Sequence, residues 1–401
     1  MTFTDFNLHA TLLESLDAMG FEKPTPIQEQ AIPYIMQNRD LIACAQTGTG
    51  KTAAYLLPVI HNLLASPSGK HAINTLVIAP TRELALQIDQ QVEGFGYYAP
   101  VTSAPVYGGG DGATWDQQKR AIVQGADILI ATPGRLLAHM QMGYVDFTHV
   151  QHLVLDEADR MLDMGFSEDI MMIVKALPAK RQTLLFSATM PSKIRHLAKT
   201  ILNNPHEISI AISKPAEGIL QAAYLVNDSR KNELVKHLLA GKKIASTLIF
   251  ASTKIKVKKL EQELRKMGLS VAGIHSDLEQ PEREKVLSSF RAKQVQILVA
   301  TDILSRGIDM EDIGLVINYD IPNSPEDYVH RIGRTARAES TGVAITFINE
   351  SEREEFKRIE QLIGKEVNKV PLPPHLEGGT DNKPKQHHRP GGNQRRSFSR
   401  R

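Results

Sequence analysis

The stretch Leu41-Ile42-Ala43-Cys44-Ala45-Gln46-Thr47-Gly48-Thr49-Gly50-Lys51-Thr52 decides the fold. Four apolar residues run without alternation, a glycine-rich turn follows, and the apolar stretch Ala53 to Leu64 resumes with helical character. A strand, tight loop and helix in that order turn backbone N–H groups and a helix N-terminus toward an anion. Gly48 and Gly50 permit the tight path, Lys51 can reach β- and γ-phosphates, and the Thr52 hydroxyl can ligate Mg²⁺. Ala45 stands where the general GxxxxGK[ST] pattern has its first glycine, a single departure from it. Cys44 beside the loop reads as a small core residue.

Working outward, similar apolar runs recur at Leu76 to Ala79, Ile128 to Ala131, Leu153 to Leu155 and Leu184 to Phe186. After a stretch from Ser213 to Gly218 rich in polar residues, they restart at Leu248 to Phe250, Val271 to Ile274, Ile297 to Ala300, Leu315 to Ile317 and Val343 to Ile348. Uninterrupted runs suit strands buried on both faces, and their alternation with helical stretches implies βαβ units. The expectation is an α/β chain of two tandem domains, each a mostly parallel sheet flanked by helices. Residues 1–210 form the first, 211–218 a linker, 219–368 the second and 369–401 a tail. Polar and glycine-rich clusters begin where these runs end, the edge at which open parallel sheets bind ligands.

Composition limits the alternatives. A chain of 401 residues exceeds what one hydrophobic core supports. With 42% apolar and 23% charged residues it is not disordered throughout, and no apolar run approaches the roughly 18 residues of a membrane span. A single cysteine and an N-terminus without a secretory pattern point to the cytoplasm. The net charge of +2 hides an asymmetry: residues 371–401 hold seven basic and two acidic side chains, which leaves the preceding 370 residues at −3. That last segment, rich in proline and glycine, cannot bury enough surface to offset its ordering entropy. It is expected to be a disordered basic tail, drawn to polyanions or serving solubility alone.

Asp156-Glu157-Ala158-Asp159 follows Leu153-Val154-Leu155 directly. A carboxylate at the end of a strand beside a phosphate loop is placed to hold magnesium, which makes Asp156 the metal candidate together with Thr52. Glu157 is placed to polarise an attacking water. Three acids in four residues at a sheet edge would repel one another without a cation nearby.

With these residues the chain resembles the DEAD-box ATP-dependent RNA helicases, and its two-domain body is most similar to bacterial RhlE-like members. The resemblance rests on AxTGTGKT, on Asp156-Glu157-Ala158-Asp159 and on further segments in family order. These are Phe3 with Gly20 to Gln28, Pro80 to Leu84, Gly108-Gly109, Thr132 to Arg135, Ser187-Ala188-Thr189, Phe250 to Thr253, Gln280 to Arg283, Ala300 to Asp309 and His330 to Arg337. Ala336, Ser276 and Leu304-Ser305 depart from the commoner pattern without removing a charged or metal-binding group.

The resemblance implies an RNA-stimulated ATPase of two RecA-like domains that locally separates short duplexes, with ATP and Mg²⁺ as cofactors. Gln28 would bond the adenine edge and Phe21 pack on the base. Gln46, Thr47, Gly48, Thr49, Gly50, Lys51 and Thr52 would hold the phosphates, and Asp309 the ribose. Arg334 and Arg337 would reach the γ-phosphate as arginine fingers beside Lys51, Asp156 and Glu157, while His330, Arg331, Ser187 and Thr189 would couple the domains. The three arginines of HRIGRTAR would share a face if that segment were helical. RNA would lie on Arg82, Gly108, Gly109, Thr132, Arg135, Gln280, Arg283 and Thr301. Aromatic residues make up 5% of the chain, too few for stacking platforms, so backbone contact without sequence readout is expected. Possible partners extend to ribonucleoprotein or ribosome-related assemblies, with the chain a monomer. An ATP-gated RNA clamp, a DNA translocase and a non-catalytic nucleotide-binding scaffold are the competing readings.

Overall fold

The computed structural model describes residues 1–46, 48–65, 72–210, 218–241, 246–301, 313–322, 324–335 and 342–376. Of the linker expected at 211–218, residues 211–217 lie outside the described residues, as do residues 377–401 of the tail expected from 369; the first part of that tail instead belongs to the second domain, with Lys369 in the strand Asn368–Lys369 and Leu376 buried in an apolar core. The first sheet contains β1 (Leu41–Cys44), β2 (Thr75–Ile78), β3 (Ser103–Val106), β4 (Ile128–Ala131), β5 (His152–Leu155), β6 (Gln182–Ser187) and β7 (His206–Ser209). The second contains β8 (Ile219–Leu225), β9 (Thr247–Phe250), β10 (Val271–Ile274), β11 (Ile297–Ala300), β12 (Leu315–Asn318), β13 (Gly342–Ile348) and β14 (Asn368–Lys369).

Strand order is β3-β4-β2-β5-β6-β1-β7 in the first sheet and β10-β11-β9-β12-β13-β8-β14 in the second. Counted from its own first strand, the second sheet repeats the order of the first. Every pairing is parallel. Parallel neighbours require crossovers, and helices supply them, covering both faces. These are two tandem RecA-like α/β domains.

The two-sided burial is visible residue by residue. Leu41, Ala43, Val77, Ile130, Val154 and Phe186 enter one apolar core, while Ile42, Leu76, Ile78, Leu129, Leu153 and Leu185 enter another. Alternate side chains point to opposite faces, so a strand with a core on each side must be apolar at every position. In the second sheet Ile249, Val299 and Ile317 face one core, and Leu248, Leu298 and Val316 another.

Because all strands run the same way, their carboxyl ends share one edge of each sheet. At that edge of the first sheet lie the loop after β1, Thr81 and Arg82 after β2, Gly108-Gly109 after β3, Thr132 after β4, Asp156 after β5 and Ala188-Thr189 after β6. Among the described residues no helix is long and apolar enough to cross a membrane.

Candidate nucleotide site and interdomain face

The loop between β1 and the Lys51–Ala65 helix bends through Gly48 and Gly50, whose φ angles are +82° and +87°. Lys51 is buried, and its Nζ donates to the Ala45 carbonyl at 2.6 Å. Thr49 Oγ1 donates to the Gln46 carbonyl at 2.7 Å, closing the turn. Gln28, buried in the first turn of the Pro26–Met36 helix, is keyed to this loop. Its Oε1 accepts from Thr25 N–H at 2.9 Å and its Nε2 donates to the Gly50 carbonyl at 3.1 Å. An amide has two acceptor lone pairs and two N–H groups, so one of each remains for a base edge. Phe21 is half-buried against Phe95 and Phe3, with ring centroids 5.6 and 6.1 Å away.

Beyond β5 the acidic cluster divides its work. Asp156 is buried and held by neutral donors, the Tyr55 hydroxyl at 2.9 Å and Glu157 N–H at 2.9 Å. Burial pushes its carboxyl up to about 6, against the pull of nearby Lys51. Thr52 as well as Asp156 bears on the ionisation of the Tyr55 hydroxyl, which burial pushes well up, so the two metal candidates lie near one oxygen. A buried carboxylate beside a helix-N-terminal hydroxyl fits Mg²⁺, which binds through few protein ligands and keeps its other positions for water and phosphate.

Glu157 takes a left-handed backbone, φ +49°, and its carboxylate accepts from Arg160 at 3.1 Å, both side chains being buried. Asp159 points elsewhere: its Oδ2 accepts from Thr189 N–H and Oγ1, each at 2.9 Å, and its own N–H donates to Ser187 Oγ at 3.3 Å. Ser187 Oγ in turn donates to the Thr189 carbonyl at 2.7 Å. The expected mutual repulsion is therefore relieved mainly by separate partners. Glu157 takes a cationic partner, whereas Asp156 and Asp159 are held by neutral donors.

The RNA candidates meet across the sheets. The Arg82–Phe95 helix begins after β2, and the Gln280–Arg291 helix follows β10 in the second domain. Arg82 Nη2 pairs with Glu284 at 2.7 Å, Arg283 Nη2 with Glu83 at 3.4 Å, and Gln280 Nε2 donates to Glu83 at 3.3 Å. A Cβ placed on Gly109 would lie 3.5 Å from Gln280 Cγ. Four of the eight RNA candidates thus gather at one interdomain face. Thr132 and Arg135 open the Pro133–Gln141 helix after β4, Gly108 sits beside Gly109, and Thr301 is half-buried after β11.

The arginine run differs from its helical expectation. The Pro325–Ile332 helix includes Arg331 but stops at Gly333, a poor helix former, so Arg334 lies in the turn beyond. Arg331 is buried within its own domain, donating to Asn318 Oδ1 at 3.2 Å and the Asp320 carbonyl at 2.7 Å. His330 precedes it and Arg334 is half-buried. Thr47, Asp309 and Arg337 lie outside the described residues.

Residues 25–197 match the DEAD/DEAH box helicase family, and residues 230–339 the helicase conserved C-terminal domain. The chain is 41% identical, over 94% of its length and 79% of the relative's, to the DEAD-box ATP-dependent RNA helicase CshA of Geobacillus kaustophilus. This chain belongs to the DEAD-box ATP-dependent RNA helicases. It is also 42% identical to the ATP-dependent RNA helicase DeaD of Haemophilus influenzae, spanning 61% of that protein. Among solved structures, S. cerevisiae Dbp5 bound to RNA and ADP BeF3 is similar over 92% of this chain and 95% of Dbp5, with 31% identity and a TM-score of 0.82. A DEAD box protein from Methanococcus jannaschii has higher identity, 38%, over 92% of this chain and 99% of its own, yet a TM-score of 0.53.

This helicase is an RNA-binding, RNA-stimulated ATPase. Sequence reasoning missed several of its site residues. Tyr55 joins Asp156 across 101 positions, Asp159 and Arg160 anchor the acidic cluster, and Glu83 and Glu284 answer the arginines expected to contact RNA. A tyrosine hydroxyl within the apolar stretch Ala53 to Leu64 was the one local signal available for Tyr55.

Proposed function

We propose that this helicase couples ATP hydrolysis to local duplex separation through one composite site built across its two domains. The observation that carries the reading is the pairing of Arg82 with Glu284 and of Arg283 with Glu83, where two helix N-termini meet. The structural likeness agrees in direction, being greater to the RNA- and ADP BeF3-bound Dbp5 than to a relative of higher identity.

In this reading the backbone of the Gln46–Thr52 loop and Lys51 hold the triphosphate, while Gln28 and Phe21 select adenine and report its presence to Gly50. Mg²⁺, when bound, would be held by Thr52 and Asp156 and would neutralise phosphate charge. Glu157, paired with Arg160, orients and deprotonates the attacking water. Arg334 and Arg337 approach the γ-phosphate, where fixed guanidinium charge contributes ~10³–10⁵ in rate, and Asp309 holds the ribose. Asp159 ties this machinery to Ser187 and Thr189, and Arg331 and His330 set the second domain's side. RNA lies along Arg82, Gly108, Gly109, Thr132, Arg135, Gln280, Arg283 and Thr301, contacted at phosphate and sugar without sequence readout. Closing the domains on one strand expels its partner, and loss of the γ-phosphate reopens them. The same reading has the enzyme act as a monomer in the cytoplasm.

Glu157→Gln tests the chemistry. Turnover should fall by at least about a hundredfold, the scale of general-base catalysis, while a long-lived complex with ATP and RNA persists. Undiminished hydrolysis would remove Glu157 from the reaction. Release of a short duplex by the wild type separates a helicase from a clamp.

A further inference from the structure

The only tryptophan of the chain, Trp115, belongs to neither apolar core of its domain. It sits half-buried in the first turn of the Gly112–Gln124 helix, and its indole covers two side chains of the neighbouring Pro133–Gln141 helix. The His139 ring stacks on it at 3.9 Å and 16°, and the Arg135 guanidinium lies 4.3 Å from its ring centre. Gln118, one turn beyond Trp115, completes the brace. Its Oε1 accepts from Arg135 Nε at 2.8 Å and from His139 Nε2 at 3.2 Å, and its Nε2 donates to the Tyr107 carbonyl at 3.0 Å. The amide's orientation is thereby fixed, which puts the imidazole proton on Nε2 and leaves Nδ1 to accept from the Tyr144 hydroxyl. Burial and the charge of Arg135 drive His139 down to about 4, so it stays neutral beside the guanidinium.

Arg135 differs from the arginines around it. Arg82, Arg160 and Arg283 each pair with a glutamate. Arg135 has no ion-pair partner among the described residues, and its Nη2 is buried with no hydrogen-bond partner there. A rigid guanidinium with no carboxylate paired to it, on a half-buried side chain in the first turn of a helix, is suited to receive an anion.

We propose that Trp115 is a positioning residue, holding Arg135 with Gln118 and His139 in the single orientation that receives a phosphate of single-stranded RNA. The inference rests on Arg135 being an RNA contact. Trp115 acts through the guanidinium and touches neither nucleotide nor chemistry, so its loss changes how much RNA is needed and not how fast saturated enzyme turns over.

The test uses the full chain and a fluorescein-labelled oligouridylate, with a non-hydrolysable ATP analogue for binding and ATP for turnover. Trp115→Leu should weaken oligouridylate binding by about three- to tenfold, the scale of a partly desolvated cation–π contact. The RNA concentration for half-maximal ATPase should rise in parallel, with kcat at saturating RNA and KM for ATP within twofold of wild type. Trp115→Phe, which keeps an aromatic face, should recover most of the affinity. In an Arg135→Ala background Trp115→Leu should add less than twofold, since its target is gone.

An unchanged affinity in Trp115→Leu overturns the proposal, as does an effect that persists undiminished in the Arg135→Ala background. A leucine variant that fails to fold, or whose KM for ATP rises with the RNA requirement while the phenylalanine variant gives no rescue, assigns Trp115 to structure and overturns it as well. Should Arg135→Ala alone leave RNA affinity intact, the reading of Arg135 as an RNA contact falls and the proposal with it. Loss in Arg135→Ala without loss in Trp115→Leu sinks the positioning role only.

Discussion

Gly50 meets two demands that no other residue type satisfies together. Its φ of +87° costs an L-residue about 1–2 kcal/mol, and a Cβ there would stand 2.4 Å from Gln28 Nε2. Gly48 has a similar φ, but a Cβ on it would meet nothing within 4 Å among the described residues. Gly48→Ala should therefore carry the backbone cost alone, roughly a tenfold rise in KM for ATP. Gly50→Ala should be clearly worse, because the Gln28 bond is lost as well. Equal effects in steady-state ATPase would mean that Gln28 does not brace the loop. His139 gives a second expectation, with the sign set by its displacement to about 4 from an unfolded value near 6.5. The unfolded chain binds the proton first, so the stability this ring contributes is whole above about pH 6.5 and is lost as pH falls toward 4. His61, His152 and His275 are also held low, chiefly by burial, and share that acid limb. His139→Gln should narrow the drop in Tm between pH 7 and pH 5 without abolishing it. A drop equal to the wild type's would show that His139 titrates normally.

The elements were legible in proportion to their burial. Runs such as Leu41 to Cys44 and Ile297 to Ala300 announce themselves because both faces are covered. The strands β3, β7, β8 and β14 escape that reading for a physical reason. β3, β7 and β14 border their sheets and β8 lies next to β14, so exposed or half-exposed positions break the apolar run, as in His206-Glu207-Ile208-Ser209. Loops that follow a strand and open a helix could be placed from local pattern, since the backbone dictates their geometry. The partners of those loops could not, because Glu83 and Arg283 are brought together only by the packing of two domains. That pair carries the element-scale expectation. Glu83 receives both Gln280 and Arg283, so Glu83→Gln should raise the RNA concentration for half-maximal ATPase by about threefold, somewhat above an exposed pair because both side chains are mostly buried. In an Arg283→Met background, where RNA affinity is already lowered, Glu83→Gln should add little further, since the arginine it holds is gone. Tighter RNA binding in Glu83→Gln would mean that the glutamate only competes with phosphate for Arg283.

At the scale of the molecule, the proposed function has two domains that repeat one strand order divide a task that neither performs alone. The first supplies the phosphate loop and acids, and the second supplies guanidinium groups on a helix and turn of its own. Such a division makes the encounter of the domains the controlled step, and anything that raises the local concentration of RNA favours it. Charge is distributed unevenly along the chain. Residues 1–370 carry −3, a body with no general attraction for a polyanion, while Lys383, Lys385, Arg389, Arg395, Arg396, Arg400 and Arg401 gather in the last segment. Each single-strand phosphate neutralised steepens the fall of log K with log salt by about 0.7. A chain ending at Leu376 should therefore bind oligouridylate more weakly at low salt, with a slope shallower by several such increments, while KM for ATP stays the same. Its affinity should converge on that of the full chain as salt is raised, because the lost contribution is the part that counterions erase. The proposed core contacts at Arg82, Arg135 and Arg283 would remain, so RNA-stimulated turnover at saturating RNA should be unchanged. Parallel salt lines for the two chains would instead make the segment a solubility element and leave RNA capture to the two domains.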